Sequence, residues 1–297
     1  MDNKYIIIAI CMFFSIMQIT AQGIIAKNAK LELVSDAFKF TEGPASDKDG
    51  NVYFTDQPNN RILMWSSQTN AISTFMENAG RSNGLYFDNN ENLLACADEN
   101  FELWQIDPKK NKKVLVSDFN NLKLNGPNDL WVTPNGGIYF TDPYYQRPYW
   151  TRTKKEIEKE RVYYIDPKKK TVHIVANDLI QPNGIIGAPD GKTLYVADIG
   201  NKKTYSYTIG EDGSLSNKAL FTSMGSDGMT IDNKGNVYLT GKGVTVFNKK
   251  GKQIHHININ QNWTANVTFG GPEQNILFIT AMNSVYTLKM NVKGVRY

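Results

Sequence analysis

The stretch Asn125-Gly126-Pro127-Asn128-Asp129-Leu130 is followed by a turn at Pro134-Asn135-Gly136 and by the run Ile138-Tyr139-Phe140-Thr141. A polar residue, a turn and an aromatic, β-branched run in this order predict two strands joined by a tight turn. The same order occurs six times along the chain. The polar residues that begin the six units, usually followed by Gly, are Glu42, Asn83, Asn128, Asn183, Asp227 and Asn266.

Successive units are spaced by roughly 40 to 55 residues, and two further strand-like runs follow the first two in most units. Four short strands per repeat are typical of a propeller, in which closure into a ring protects the strand edges. The sequence therefore predicts an all-β fold, a six-bladed β-propeller with four-stranded blades over residues 23–297. We expect the strand-like segment from Ala29 to Ser35 to complete the last blade and close the ring.

The first residues have a different character. Lys4 precedes an almost wholly apolar run from Tyr5 to Ile16, and small residues follow near Ala21. This pattern predicts a secretory signal peptide over residues 1–22 and a periplasmic or secreted mature protein. The run is too short for a comfortable membrane span, so no stable membrane association is expected after cleavage. A retained anchor is the alternative. Cleavage would leave Cys96 as the single cysteine, without an intrachain disulfide.

The 297-residue chain has a formal net charge of +4, and its lysines are scattered or in short runs. Such a distribution indicates a solvated surface and excludes a nucleic-acid-binding patch. No nucleophile elbow, P-loop or dinucleotide fingerprint is present. The oligomeric state is not indicated by the sequence.

Equivalent positions of a propeller form a ring around its axis, so the six polar residues that begin the units should meet there. Any one Asn or Asp is commonly a turn former, but six oxygen-bearing side chains at one repeat position favour a shared site. Carboxylate and amide oxygens suit a hard cation, Ca²⁺ or another divalent ion, whereas the three histidines lie outside the ring positions.

A second set of acids follows the strands at Asp56, Asp98, Asp142 and Asp198. We expect solvent-facing turn caps at all of them except Asp142, which opens an aromatic insertion in the longest repeat. Such an insertion is typical of a functional loop, with a decorative surface loop as the alternative. We expect Trp150 within it to affect substrate affinity more than folding.

Several blocks resemble a known family. The chain is similar to the SMP-30/gluconolactonase/LRE family, and to its bacterial gluconolactonases in particular, from about Glu32 to the C-terminus. In related gluconolactonases an acid and a His commonly follow the position of Cys96, where this chain has Ala97 and Asp98. The blocks that carry the resemblance are Thr41-Glu42-Gly43-Pro44, Arg81-Ser82-Asn83-Gly84-Leu85, Asn125-Gly126-Pro127-Asn128-Asp129-Leu130, Tyr139-Phe140-Thr141-Asp142-Pro143, Gln181-Pro182-Asn183-Gly184-Ile185 and Ser226-Asp227-Gly228-Met229.

The resemblance implies a six-bladed propeller with a divalent cation, usually Ca²⁺, in its channel. It implies Glu42, Asn183 and Asp227 as metal ligands, and Asp227 and Asn128 as catalytic residues, with Asp227 also the candidate general base. The substrate-binding candidates are Arg81, Asn83, Asn128, Asp142 and Tyr144.

These features lead to three hypotheses. The first is a Ca²⁺-dependent carboxylic ester hydrolase that opens a sugar lactone by metal polarisation of the carbonyl and carboxylate-assisted attack of water. The second is a non-catalytic propeller that binds a sugar or a protein, since one fold hosts many functions. The third is a related hydrolase of the strictosidine-synthase-like or organophosphate type.

Overall fold

Each repeat folds into one four-stranded antiparallel sheet, and six such sheets form a six-bladed β-propeller. The structure, a computed structural model, describes residues 23–295. The signal-peptide prediction for residues 1–22 lies outside the described residues, as do the last two residues of the chain. No helix of the described part is long and apolar enough to cross a membrane.

The strands are numbered in chain order, and the first strand belongs to the last blade. Blade 1 contains β2 (Thr41–Ser46), β3 (Val52–Asp56), β4 (Arg61–Trp65) and β5 (Ile72–Glu77). Blade 2 contains β6 (Leu85–Phe87), β7 (Leu93–Ala97), β8 (Glu102–Ile106) and β9 (Lys112–Val116). A hairpin of β10 (Asp118–Phe119) and β11 (Leu122–Lys123) follows. Blade 3 contains β12 (Leu130–Val132), β13 (Ile138–Asp142), β14 (Arg161–Ile165) and β15 (Val172–Ala176).

The remaining three blades have the same order from the axis outward. Blade 4 contains β16 (Pro182–Gly187), β17 (Thr193–Asp198), β18 (Lys203–Ile209) and β19 (Leu215–Thr222). Blade 5 contains β20 (Met229–Ile231), β21 (Val237–Gly241), β22 (Gly243–Phe247) and β23 (Gln253–Ile257). Blade 6 contains β24 (Asn266–Gly270), β25 (Ile276–Ala281), β26 (Ser284–Lys289) and β1 (Glu32–Ser35).

Ring closure follows the prediction. Strand β1 pairs with β26 in antiparallel register, with Glu32 opposite Thr287 and Leu33 opposite Tyr286. The outermost strand of blade 6 therefore comes from the beginning of the described chain and its three inner strands from the end. One short 3-10 helix, Gln57–Asn59, interrupts the otherwise β-structured part that is described.

The apolar core lies between neighbouring blades. The second strand of a blade, such as β7 or β13, is buried along its whole length, while the outer strand β9 is largely exposed. A strand covered on both faces must be apolar throughout, which explains the continuous runs in the sequence. Trp131 and Tyr139 are examples of large side chains with no exposed surface.

In blade 3 a β-bulge lies at the polar residue that begins the repeat. In blade 3 the Asn128 N–H donates to the Thr141 carbonyl, and the Thr141 N–H donates to the Asp129 carbonyl, both at 2.9 Å. Two residues therefore oppose one, which bends the inner strand at its start. The glycine after the polar residue is needed where the next blade packs closely: a Cβ on Gly43, whose φ is 45°, would lie 2.0 Å from the Asn83 carbonyl oxygen.

Candidate functional site

The main-chain contacts between blades show that Asn266, one predicted member of the ring, was assigned wrongly. The residue after each ring position approaches the ring residue of the next blade: the Gly84 N–H donates to the Asn128 carbonyl at 2.7 Å, and the Gly228 N–H donates to the Ala265 carbonyl at 2.8 Å. The ring position of blade 6 is therefore Ala265. Asn266 aligns instead with the glycines, so five repeats, not six, supply an oxygen-bearing side chain to the ring.

Three of the five ring residues come together at one mouth of the channel. The two hydrogens of the Asn183 amide Nδ2 go to Oδ1 of Asp227, at 2.9 Å, and to the hydroxyl of Tyr145, at 2.8 Å. The Trp263 indole donates to the other carboxylate oxygen of Asp227 at 2.6 Å. Glu42 is close enough to Asp227 for the charge of Asp227 to raise the pKa of the Glu42 carboxyl.

Burial dominates the electrostatics of this pair. Removal from water raises the pKa of Asp227 to about 6, although Trp263 and Asn183 donate to its charged form and Arg147 attracts it. The pKa of Glu42 is raised well above its usual value, first by burial and then by the nearby Asp227. Among the described residues, neither carboxylate forms an ion pair with Lys or Arg. The pair therefore lacks a counter-charge in direct contact.

The donor set fits a hard cation. Asn183 Oδ1 is buried and has no hydrogen-bond partner within the described chain. Both hydrogens of the same amide are already donated, to Tyr145 and to Asp227. Two uncompensated carboxylates beside one orphan amide oxygen match the oxygen ligands of Ca²⁺. Over residues 23–295, no cluster of three His, Cys, Asp or Glu side chains forms an alternative metal site.

A second polar layer lies next to the ring, and the sequence analysis missed it. Asp129 and Asn266 occupy the position that is Gly in the other four blades. The Asn266 amide donates to Oε2 of Glu42 at 3.3 Å. Burial raises the pKa of Asp129 to about 8 despite a hydrogen bond from Asn266. Asp129 is the third buried acid near the ring, since its charge also raises the pKa of Glu42.

The ring amides of blades 2 and 3 remain open to a ligand. Asn83 and Asn128 are each only 4% exposed, and their main-chain groups are used in the strands. Within the described residues, no hydrogen bond involves either side-chain amide. Both side chains can therefore offer a donor and an acceptor to a molecule in the channel.

The acids at the strand ends are buried and not solvent-facing, which corrects the expectation of exposed turn caps. Both carboxylate oxygens of Asp142 accept main-chain N–H groups, from Asn125 at 2.9 Å and from Gly126 at 2.8 Å. Asp198 accepts the N–H groups of Ile180 and Gln181 in the same way. Asp142 has no exposed surface, so the structure gives it this structural role, and its predicted contact with substrate remains a prediction.

Asp98 of blade 2 differs from these acids because it binds the aromatic insertion. Its carboxylate accepts the Tyr149 hydroxyl and forms an ion pair with Arg147 Nε at 3.3 Å. Its carbonyl accepts the Trp150 indole N–H at 3.1 Å. Trp150 is buried and packs at a ring-centroid distance of 4.7 Å from Phe101. Trp150 is therefore a buried residue that anchors the insertion, and the expectation that it affects substrate affinity more than folding remains a prediction.

The anchored insertion brings Tyr145, and not Tyr144, to the ring. The hydroxyl of Tyr145 accepts from Asn183, while that of Tyr144 donates to Gln146 and its ring packs near Trp150. Adjacent residues of an extended loop point in opposite directions, and the sequence offered no signal to choose between two neighbouring tyrosines. The predicted role of Tyr144 in substrate binding remains a prediction without a contact at the ring.

Arg81 lies beside the insertion at the same end of the channel. Its guanidinium is 4.6 Å from the ring centroid of Tyr149, and its Nε pairs with Glu99 at 3.2 Å. One terminal nitrogen donates to the Pro58 carbonyl at 2.6 Å. The structure thus places Arg81 near the mouth but not within the ring.

Comparison with known proteins gives a consistent result. The family model described as SMP-30/Gluconolactonase/LRE-like region matches residues 40–283. A gluconolactonase of Zymomonas mobilis is 24% identical over 302 residues, covering 92% of this chain and 84% of the relative. A lactonase Drp35 of Staphylococcus haemolyticus is 27% identical over 240 residues, covering 75% and 71%.

Solved structures agree with this grouping. A gluconolactonase from Xanthomonas campestris superposes with a TM-score of 0.84 at 27% identity, covering 90% of this chain and 91% of that one. A calcium-binding regucalcin from Agrobacterium tumefaciens, at 18% identity and a TM-score of 0.76, shares the fold. With a family match over most of its length and six blades in register, this chain belongs to the SMP-30/gluconolactonase/LRE-like family.

Proposed function

We propose that this protein hydrolyses a sugar lactone with the help of a divalent cation, Ca²⁺ in the first place. The observation that carries the proposal is the meeting of Glu42, Asp227 and the unpartnered oxygen of Asn183 at one mouth of the channel. Relatives that are similar over most of this chain are gluconolactonases and lactonases. The predicted signal peptide supports export as part of the same proposal.

Glu42, Asn183 and Asp227 would hold the cation. When bound, a divalent ion supplies Lewis-acid polarisation of the lactone carbonyl and stabilises the negative charge that develops on its oxygen. The amides of Asn83 and Asn128, which have no hydrogen-bond partner within the described residues, would hydrogen-bond the oxygens of the lactone and orient it. The cation and the substrate would thus be held by groups from five different blades.

The pKa values of the buried acids indicate which of them acts as the base. A pKa of about 8 keeps Asp129 protonated at neutral pH, whereas a pKa of about 6 leaves Asp227 ionised. Asp227 would accept a proton as water adds to the carbonyl carbon. The ring C–O bond then breaks, and the same proton passes to the departing ring oxygen, which leaves an open-chain hydroxy acid. The Trp263 indole holds the Asp227 carboxylate in place throughout.

The test is acid release from a panel of aldonolactones, measured with purified protein before and after treatment with a chelator. We expect hydrolysis that is lost on chelation and restored by Ca²⁺. Asp227→Asn keeps the size of the side chain but removes the base, so it should lower kcat by about 10² or more. Exposed Asp178→Asn is the control. Full activity in the chelated protein would refute the role of the cation.

A further inference from the structure

A cleft opens beside the channel mouth, between blade 1 and the aromatic insertion. Its volume is about 520 Å³, which is in the range of small-molecule sites. Phe40, Pro148 and Tyr149 supply apolar surface, and Arg81 and Arg147 supply the charge. Among the described residues that line the cleft, these two arginines are the only charged ones.

The carboxylates that pair with the two arginines do not line the cleft. Arg81 Nε contacts Glu99 at 3.2 Å and Arg147 Nε contacts Asp98 at 3.3 Å. Both arginines keep about a quarter of their side-chain surface exposed, 25% and 23% respectively. Each guanidinium carries five N–H donors in a planar fork, so one acid partner does not exhaust its donors.

Besides the two arginines, the cleft contains the side-chain amide of Gln57, a hydrogen-bond donor without an acceptor in the described chain. Gln57, in the short 3-10 helix, is 4% exposed and lines the cleft. Its buried Nε2 has no hydrogen-bond partner in the described chain. A buried donor without a partner is unfavourable, so an acceptor that reaches Gln57 Nε2 would be stabilised by it. The cleft therefore combines two cations with an unused amide donor.

The cleft adjoins the ring through the insertion. The Arg147 guanidinium lies 5.2 Å from the ring centroid of Tyr145, and the hydroxyl of that tyrosine contacts Asn183. Arg147 is also close enough to Asp227 to lower the pKa of its carboxyl. Arg147 and Tyr145 thus link the cleft to the ring.

We propose that this cleft binds an anionic group, a carboxylate or a phosphate, on the part of the lactone remote from the reacting carbonyl. The inference rests on the proposed function and narrows its substrate class to acidic sugar lactones. Charge-assisted hydrogen bonds from guanidinium groups are shorter and stronger than those to neutral hydroxyls. A neutral sugar would leave both guanidiniums and Gln57 with weaker partners.

Matched substrates test the proposal. D-glucono-1,4-lactone and D-glucaro-1,4-lactone differ only in a terminal hydroxymethyl or carboxylate, and D-glucono-1,5-lactone and its 6-phosphate form the second pair. We expect kcat/KM to be at least about tenfold higher for the acidic member of one pair, which also tells carboxylate from phosphate. Equal values, or a preference for the neutral members, would overturn the proposal.

Arg81→Gln is the informative variant, because Arg147 also affects Asp227. We expect a selective rise in KM for the preferred acidic lactone of about tenfold, with rescue by Arg81→Lys. Lys218→Gln, which removes one positive charge from an exposed ion pair elsewhere, is the matched control. An equal loss for acidic and neutral lactones would mean that Arg81 acts through folding, which a melting curve checks.

A measurement without turnover separates this proposal from the proposed function. Calorimetric binding of D-glucarate and 6-phosphogluconate is compared with that of D-gluconate, in wild type and in Arg81→Gln. Tighter binding of a probe with a second anionic group that disappears in the variant supports the cleft even if no lactone is hydrolysed. Lactone hydrolysis without any such difference supports the function and refutes the cleft.

Discussion

The indole nitrogen of Trp263 lies 2.6 Å from the Asp227 carboxylate oxygen that Asn183 does not contact. The bond lowers the pKa of Asp227 against the larger effect of burial. Trp263 comes from the loop that precedes blade 6, so a neighbouring blade controls the proton state of the ring acid in blade 5. This residue was not identified from the sequence as part of the site.

Trp263→Phe removes this bond and keeps an aromatic ring. The pKa of Asp227 should then rise, since the donor favoured the charged form. Activity that needs ionised Asp227 would appear at higher pH, with the acidic limb of the kcat profile displaced upward by about one unit. The pH profile of Trp150→Phe serves as control. An unchanged acidic limb would mean that Asp227 is not the base.

Asp227→Ala should abolish the effect of Ca²⁺ on stability as well as activity. A ligand that binds only the folded state stabilises it by about 2.7 kcal/mol at one hundred times its Kd. We expect the melting temperature of wild type, but not of the variant, to rise with Ca²⁺. Asp178→Ala should retain the rise, and its persistence in Asp227→Ala would show that the ligand assignment is wrong.

Trp150→Ala should destabilise the protein by about 3–5 kcal/mol, since a large buried side chain and its packing against Phe101 are lost. The measurement is equilibrium unfolding in urea. Trp150→Phe should cost less because most of the volume is kept. A stable variant with a raised KM would support the original expectation that Trp150 affects substrate affinity more than folding.

Asp98→Ala should loosen the aromatic insertion, because it removes the acceptor of Tyr149 and the partner of Arg147. We expect faster tryptic cleavage within residues 143–160 and a higher KM. Asp56→Ala is a matched control, since the equivalent acid of blade 1 accepts the N–H groups of Lys39 and Phe40 and pairs with Arg61. Its loss should lower stability without exposing the insertion. Equal cleavage in both variants would refute the anchoring role.

The contribution of Asp142 to the free energy of unfolding should fall as the pH rises toward neutrality. Burial raises the pKa of Asp142 to about 7, above about 3.9 for an unfolded chain. Its stabilising contribution is therefore complete below about pH 4 and is lost as the pH rises to about 7. In Asp142→Asn the fall in unfolding free energy over this range should be smaller by about 2–4 kcal/mol. An unchanged slope in Asp142→Asn would mean that the Asp142 carboxyl titrates normally.

The architecture was predictable because every repeat obeys the same local rules. A polar residue, a glycine and two short strands are visible in the sequence, and the regular spacing predicts six blades and a strand from the N-terminal side that closes them. The family was also recognisable from these blocks. Both predictions depend on patterns that repeat, so an error in one unit is compensated by the other five.

The site was less predictable because it depends on departures from the repeat. Asn266 was assigned to the ring from its spacing, yet the hydrogen bond from Gly228 to Ala265 places it one position further on. Asp129 was visible as the residue that replaces glycine in blade 3, and this exception was the signal for the second polar layer. Whether Tyr144 or Tyr145 faces the ring depends on tertiary contacts of the insertion with Asp98, which no local pattern contains.

The pairing of β1 with β26 ties residues near position 33 to residues near position 286. The chain must be almost wholly synthesised before its sixth sheet can acquire its fourth strand, so closure is a late event with a large loop-entropy cost. Until then β26 presents an unpaired edge that another copy could occupy. A truncation beyond Ser35 would make that vulnerable edge permanent and should promote aggregation or strand exchange between molecules.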